Sequence, residues 1–294
     1  MSAFVQSLID ACSLGALYGL EALAVGLLFG VVRVANFALG TVVTTSAYAL
    51  YAGRDAGLAG AVGLALVVAV VLCLAMERLV FRPLRTAPVA TLFIASFAVA
   101  FTLEKTLLLA FGPDQRSFVF DRMPSGVVSV GGYYVTRLSL LTIVLVGVLL
   151  AALVGLLRGT SFGIRMRAAS DDFAMARLVG VRANAVTAGA FAITGVMSVV
   201  VALVLSAQVG GVTPSLGTNV IVFALLGAVV GGLDRLGGAA TGGFVVGATL
   251  SLLSSWLPDR LAGFDVSFLV AVVIALLLLR PGGLVRAGTM KERV

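Results

Sequence analysis

The chain has 294 residues, of which 61% are hydrophobic and only 11% are charged. A soluble domain carries about 25% charged residues, so this composition excludes a soluble globular protein. A membrane span needs about 20 apolar residues, and the apolar total of about 180 residues matches nine spans. The net charge of +7 comes mostly from arginines spread over short polar segments. That distribution indicates the positive-inside bias of membrane proteins and argues against a nucleic-acid partner.

Apolar segments follow one another along almost the whole chain. They lie at 8–32, 35–52, 57–77, 88–111, 138–157, 186–208, 218–232, 238–256 and 266–279. Backbone polar groups inside hydrocarbon must bond within the chain, so each segment predicts a helix. We expect an all-α, polytopic transmembrane helical bundle of about 8–10 spans, forming one domain over residues 1–294. Glycine-rich parts of 210–250 are candidates for re-entrant segments.

The basic residues predict the orientation of the chain. No basic residue precedes Arg33, so the first segment lacks the basic region of a cleavable signal peptide and is expected to stay in the membrane. With the C-terminus inside, nine spans place 14 basic residues on the inner side and 5 on the outer side. This excess predicts an N-terminus outside and a C-terminus inside.

Two polar loops are longer than the others, an outer one at 112–137 and an inner one at 158–185. Long ordered loops are usually functional, so both are candidate docking sites. Within the inner loop, residues 170–180 predict a short capped helix with Ser170 at its N-cap and Gly180 as its left-handed C-terminal residue. Asp171 and Asp172 place negative charge at the positive end of the helix dipole.

The predicted helix has an apolar stripe that needs a cover. Phe173, Ala176 and Val179 share helical spacing, with Met175 and Leu178 beside them. Two alternatives stay open for what covers this stripe, the lipid surface and a groove in a partner protein. The two aspartates of the first turn would be repelled by anionic lipid, which favours a protein partner.

Several kinds of chemistry are absent from the sequence. The chain has no histidine, and neither of its two lysines stands in a phosphate-binding loop. We therefore predict no enzyme, no catalytic residues and no metal site. Cys12 and Cys73 lie in apolar segments and are interpreted as small packing residues.

Ionisable residues inside spans are candidates for function. Glu21 lies in the middle of the first segment, as a buried acid bonded to a neighbouring helix or as part of a translocation path. Glu104 and Lys105, in the outer half of the fourth segment, are interpreted as a structural pair or as side chains reaching the outer interface. Glycines four residues apart, such as Gly15 and Gly19 or Gly243 and Gly247, predict close helix packing.

Five stretches together resemble the permeases of branched-chain amino acid ABC transporters. Val34-Ala35-Asn36-Phe37-Ala38-Leu39-Gly40 is similar to the family's Asn-Phe-Ala-His-Gly motif, and Glu77–Arg85 is similar to its Glu-Arg and Arg-Pro-Leu-Arg loop. The remaining stretches, in the family's order, are Ser161–Ala169 continuing to Ala176–Val181, Val212–Gly217 with Ala228–Gly232, and Arg280–Leu284. The resemblance covers nearly the whole chain.

The resemblance implies a permease subunit that forms half of the pore of an ATP-driven importer in a bacterial or archaeal cytoplasmic membrane. Expected partners are ABC ATPase subunits, a second homologous permease, an extracytoplasmic substrate-binding protein and membrane lipid. ATP would be bound by the partner ATPase, and this chain would bind no cofactor itself. The segment containing Ser170, Asp171, Asp172, Phe173, Met175, Leu178 and Gly180 would couple the permease to the ATPase.

The resemblance also suggests a substrate pathway near the first motif. Its expected residues are Glu21, Asn36, Phe37 and Gly40, with Asn36 either binding substrate or capping the second helix. The family's motif has histidine where this chain has Leu39, and Thr41 replaces an acidic residue, so the substrate is not fixed by the resemblance. Two other classes of function stay open, an ion-coupled secondary carrier that uses Glu21 without an ATPase, and a membrane scaffold.

Overall fold

The computed structural model describes residues 2–118, 126–130, 133–233 and 235–279. The α-helices in these residues are α1 (Ser2–Val32), α2 (Ala38–Ala52), α3 (Gly57–Met76), α4 (Val89–Phe111), α5 (Arg137–Gly159), α6 (Ser161–Asp171), α7 (Phe173–Leu178), α8 (Ala183–Val209), α9 (Leu216–Gly231), α10 (Leu236–Trp256) and α11 (Asp265–Leu279). The short strands are β1 (Arg116–Ser117), β2 (Val127–Val130), β3 (Tyr133–Thr136) and β4 (Gly211–Val212). The molecule is therefore an all-α bundle, as the composition predicts. The C-terminal stretch Arg280–Leu284 of the resemblance lies outside the described residues.

Each of the nine apolar segments corresponds to one helix, and α6 and α7 occupy the predicted inner loop. Among the described residues, six helices are long and apolar enough to cross a membrane. They are Phe4–Val32, Arg54–Phe81, Val89–Phe111, Arg137–Gly159, Ala183–Val209 and Leu236–Trp256. Helices α2, α9 and α11 have only 15 or 16 residues. At 1.5 Å per residue they rise about 24 Å, which is less than the roughly 30 Å of hydrocarbon.

Helix α1 lies at the centre of the bundle. It packs against α8, α9 and α10, and its side chains from Leu17 to Val25 are buried. The contact with α10 is close because glycines face each other. A Cβ atom on Gly243 would lie 2.5 Å from the Tyr18 carbonyl oxygen, and one on Gly19 would lie 2.9 Å from the Ala240 carbonyl oxygen. The predicted close packing at these glycines is confirmed.

The outer helices α3, α4 and α5 bury only narrow stripes. In α3 the buried positions include Ala61, Ala65, Ala69 and Cys73, spaced four residues apart. This stripe faces α2 and α8, so Cys73 is a buried free thiol that packs, as predicted. The outward faces of these helices are apolar, with exposed side chains such as Leu109 and Val148. Such faces suit lipid or a second membrane subunit.

The two ends of the bundle differ in structure. At one end, here called the strand end, β1 pairs with β4 and β2 pairs with β3, both antiparallel, and the Phe4 ring lies 5.5 Å from the Trp256 ring. The 112–137 segment was predicted only as a loop and contains three of these strands. The other end, here called the basic end, contains α6, α7 and residues 77–88, and α6 contacts the end of α1 there. Phe4 and Gly30 are separated by about 39 Å of helix, which is the distance between the two ends.

Candidate coupling helix and solute cavity

The segment 170–180 is helical, but the helix begins later than predicted. Helix α6 starts after Thr160, whose hydroxyl accepts from the Gly163 amide, and runs without a break to Asp171. The backbone is extended at Asp172 (φ −146°, ψ 106°), and α7 starts at Phe173. The Met175 amide donates to Asp172 Oδ1 at 2.9 Å. Asp172 is therefore the N-cap of α7, and the prediction of Ser170 as the N-cap is wrong.

Ser170 instead joins α6 to the end of α1. Its hydroxyl donates to the Gly30 carbonyl oxygen, and Arg33 Nη2 donates to the Ser170 carbonyl oxygen at 2.5 Å. Aspartate and serine cap helices about equally well. Asp172 and not Ser170 caps α7, because Ser170 lies in the last turn of α6 and its hydroxyl bonds to Gly30 on α1.

The C-terminal end of α7 follows the prediction. Gly180 has a φ of +86°, the Gly180 amide donates to the Arg177 carbonyl oxygen at 3.1 Å, and the Val181 amide donates to the Ala176 carbonyl oxygen at 2.9 Å. This pair of bonds is a Schellman motif, which ends a helix at a left-handed glycine. The position of Gly180 as the C-terminal residue is confirmed.

Helix α7 has an inner and an outer face. Ala176 is buried and Phe173 is half-buried, whereas Met175 is 60% exposed and Leu178 is 80% exposed. Val179, just after the helix, is 78% exposed. The predicted apolar stripe is therefore divided, because Phe173 and Ala176 face the bundle. The exposed part is formed by Met175, Leu178 and Val179.

Arg85 connects this helix to two others. Its Nη2 donates to Glu77 Oε1 at 3.1 Å, its Nη1 donates to Asn184 Oδ1 at 2.6 Å, and its guanidinium lies 4.6 Å from the centre of the Phe173 ring. Glu77 is buried in a π-helical turn, Glu77–Phe81, that extends α3, and Asn184 lies in the first turn of α8. Burial lowers the pKa of Arg85, and the Glu77 carboxylate opposes this effect. The ion pair thus stabilises a charge that joins α3, α7 and α8.

The two polar residues predicted for a substrate pathway make contacts inside the bundle. Glu21 is fully buried, and the Ser198 hydroxyl on α8 donates to its Oε1 at 3.5 Å. Asn36 Oδ1 accepts from the Ala38 amide at 3.0 Å, so Asn36 caps the start of α2. Neither side chain lines the cavity that contains the other two predicted residues.

That cavity lies between α2, α4 and α9 and has a volume of about 190 Å³. Phe37 and Gly40, both predicted for the pathway, line it. The other lining residues are Thr41, Phe97, Ala100, Phe101, Glu104, Thr218 and Ile221. Phe37 stacks on Phe97 with ring centres 4.1 Å apart.

A glycine contact sets the position of the cavity. Helices α2 and α9 cross at Gly40 and Gly217, where a Cβ atom on Gly40 would lie 2.5 Å from the Gly217 carbonyl oxygen. The Gly217 amide donates to Thr44 Oγ1 at 2.9 Å, which satisfies a free amide at the start of α9. The first turns of both short helices therefore lie next to the cavity.

Glu104 is the acidic residue of the cavity. The Thr218 hydroxyl donates to its Oε2 at 3.3 Å, and Lys105 Nζ lies 3.8 Å from its Oε1. The predicted pair with Lys105 is confirmed, but the place of Glu104 in the cavity was missed. Phe97, Ala100, Phe101 and Glu104 follow the i, i+3, i+4, i+7 spacing of one helix face, and that spacing was the signal available in the sequence.

The chain matches one protein family over residues 7–280, a family described as the permease component of branched-chain amino acid transport systems. Permease protein LivH, of the high-affinity branched-chain amino acid transport system of Escherichia coli (strain K12), is 27% identical over 96% of this chain and 95% of LivH. The corresponding protein BraD of Pseudomonas aeruginosa is 24% identical over the same shares of the two chains. The autoinducer 2 import system permease protein LsrC of Photorhabdus luminescens is 31% identical over 43% of this chain and 41% of LsrC. No solved structure matches the chain significantly.

The family match covers nearly the whole chain and agrees with the six long apolar helices. The family is a class of transport permeases and not a class of enzymes. This chain is a multi-pass membrane protein that belongs to the family of branched-chain amino acid transport system permease components.

Proposed function

We propose that this chain is a permease subunit of an ATP-driven ABC importer and forms half of the pore for branched-chain amino acids or a related small amphipathic solute. The observation that carries the proposal is α7, a helix with caps at both ends, an exposed apolar face and a connection through Arg85 to the ends of α3 and α8. The relatives LivH and BraD, which match the chain over almost its full length, support the solute class.

Helix α7 is proposed to insert into a groove on an ABC ATPase subunit. Met175 and Leu178 would fill the groove, as apolar helix faces do in other complexes. Phe173 would transmit the movement through Arg85 to α3 and α8. Ser170, Asp171, Asp172 and Gly180 would fix the position of the helix, and ATP would be bound by the partner subunit.

The basic end is proposed to face the cytoplasm. Arg33, Arg78, Arg82, Arg85 and Arg177 lie near this end, and basic residues are enriched in cytoplasmic loops. The strand end would then receive substrate from an extracytoplasmic binding protein. A second homologous permease would pack against the apolar outer helices and complete the pore in the cytoplasmic membrane.

The cavity at Phe37, Gly40 and Glu104 is proposed as part of the translocation pathway. The first turns of two short helices adjoin it, as in transporters whose sites lie at discontinuous helices. Glu21 and Asn36 would support this region, since Asn36 accepts from the first amide of α2, the helix that contains Gly40 and follows Phe37.

The test is to purify the chain in mild detergent from its native membrane, identify the accompanying proteins and measure uptake in liposomes. We expect an ABC ATPase and a second permease, together with uptake that needs ATP. Phe173→Ala should keep ATP hydrolysis while uptake falls, and Phe173→Leu should retain more uptake. Uptake that survives ATP depletion and collapses with the proton gradient would overturn the proposal in favour of an ion-coupled carrier, and the absence of any uptake would favour a scaffold.

A further inference from the structure

The cavity between α2, α4 and α9 has three polar side chains among its described lining residues, and all three offer acceptors. The Thr41 hydroxyl donates its hydrogen to the Ala38 carbonyl oxygen at 2.8 Å, and the Thr218 hydroxyl donates its hydrogen to Glu104 Oε2. A hydroxyl has a single hydrogen, and an ionised carboxylate has none. The lone pairs of these side chains are what remains for an occupant, so the occupant must be a hydrogen-bond donor.

The chain's own ammonium group shows the kind of donor that fits. Lys105 Nζ lies 3.8 Å from Glu104 Oε1 and 5.1 Å from the centre of the Phe101 ring. A carboxylate and an aromatic face together attract an ammonium group. Phe101 and Glu104 line the cavity, while Lys105 does not, so the lysine approaches this pair of groups from the rim. The Lys105 side chain is 45% exposed, which leaves it free to move away when another ammonium group arrives.

The remaining walls define the rest of the occupant. Phe37, Phe97, Ala100 and Ile221 are apolar. The volume of about 190 Å³ is what about six molecules occupy in liquid water, so the occupant is a small solute. An apolar chain that carries a primary ammonium group satisfies both the walls and the acceptors.

We infer that this cavity binds the ammonium group of an apolar α-amino acid and that Glu104 recognises it, with Lys105 as the competing counter-ion when the substrate is absent. The inference rests on the proposed function, because the solute is taken to be the one that the importer carries. It adds to that function the side chain that recognises the solute. It assigns opposite effects to the two members of the pair. Removing Glu104 weakens substrate binding, whereas removing Lys105 strengthens it.

The experiment measures equilibrium binding of tritiated leucine to the full chain. The chain is purified in lipid nanodiscs together with whatever subunits accompany it, without ATP and without binding protein. The variants are Glu104→Gln, which keeps an acceptor for Thr218, and Lys105→Met. The matched control is Asp55→Asn, an exposed acid next to Arg54 near the strand end. The competitors are 3-methylbutylamine, which has only the ammonium group, and 4-methylpentanoate, which has only the carboxylate.

We expect Glu104→Gln to raise the dissociation constant for leucine about tenfold or more, since a charged hydrogen-bond partner is lost. Lys105→Met should lower the dissociation constant, and Asp55→Asn should leave it unchanged. The amine should compete with leucine more strongly than the carboxylate does.

Equal weakening by Glu104→Gln and Lys105→Met would make the pair merely structural and overturn the inference. Unchanged binding in Glu104→Gln, no binding of leucine to the unmodified chain, or stronger competition by 4-methylpentanoate would overturn it as well. Failure of the proposed function is distinguished by a different result. The sample would then contain no ATPase, while the dissociation constants for leucine would stay the same.

Discussion

The basic end and the cavity are built from opposite kinds of contact. At the basic end, long polar side chains cross between helices, and Arg85 alone contacts Glu77, Phe173 and Asn184. At the cavity, the helix backbones touch at Gly40 and Gly217, and aromatic rings form the walls. Long charged side chains hold their partners across a gap and tolerate movement of the helices, whereas a backbone contact between glycines fixes two helices at one distance. The difference suits the proposed roles of α7 as a coupling helix and of the cavity as part of the translocation pathway.

The largest expected effect comes from the glycine contact. Gly217→Ala places a methyl group against the Gly40 carbonyl group, so α2 and α9 must separate. We expect a loss of stability of about 3 kcal/mol, as for overpacked sites. Gly147→Ala is the control, because no atom lies within 4 Å of the new methyl group and removing a glycine from the interior of α5 is mildly stabilising. Thermal unfolding in detergent measures both variants, and similar unfolding temperatures would contradict the close contact.

The ion pair at the basic end should give the next largest effect. Glu77→Gln leaves the partly buried Arg85 guanidinium without its carboxylate, and we expect a stability loss of about 2 kcal/mol, below that of fully buried pairs because Arg85 is partly exposed.

Arg85→Lys should also reduce uptake per ATP hydrolysed, since lysine cannot hold Glu77 and Asn184 together. Arg82→Lys is the control, because Arg82 is exposed. An unchanged ratio of uptake to ATP hydrolysis in Arg85→Lys would show that Arg85 has no part in coupling.

The exposed face of α7 should affect assembly and leave the bundle intact. Leu178→Asp puts a charge where the proposed ATPase groove needs an apolar side chain, and burial of a leucine contributes about 2 kcal/mol. We expect ATPase binding to weaken about thirtyfold, measured by co-purification or by titration of the ATPase subunit. Leu178→Met should bind almost normally. A fall in the unfolding temperature of Leu178→Asp would mean that the leucine packs within the bundle.

The smallest effect concerns the two capping candidates. Asp172→Ala removes the acceptor of the Met175 amide and should cost about 1 kcal/mol of helix stability. Hydrogen exchange at the Met175 amide should then be about fivefold faster. Ser170→Ala should leave that amide protected, because the serine contacts Gly30 instead. Faster exchange at Met175 in the serine variant alone would restore Ser170 as the cap.

The sequence predicted what local signals encode. Nine apolar segments correspond to nine helices, and Gly180 ends α7 as expected, since these features depend on residues close together in the chain. Ser170 was misplaced because two good capping residues stand two positions apart and a tertiary contact with Gly30 decides between them. The cavity was found only in part, through Phe37 and Gly40. Glu104 and Thr218 join them from helices far away in the sequence. The helical spacing of Phe97, Ala100, Phe101 and Glu104 indicates that they share one face of α4, but it does not indicate that this face meets α2 and α9.

The crossing of α2 and α9 has a consequence for how the chain is made. Gly217 leaves the ribosome 177 residues after Gly40, which at about 5–20 residues per second is roughly 9–35 s later. During that interval the start of α2 has no partner at Gly40, and α2 is too short to be inserted as an independent span. The contact at Gly40 must therefore wait for the last third of the chain, so truncation before α9 should leave a nascent chain that membrane quality control recognises and removes.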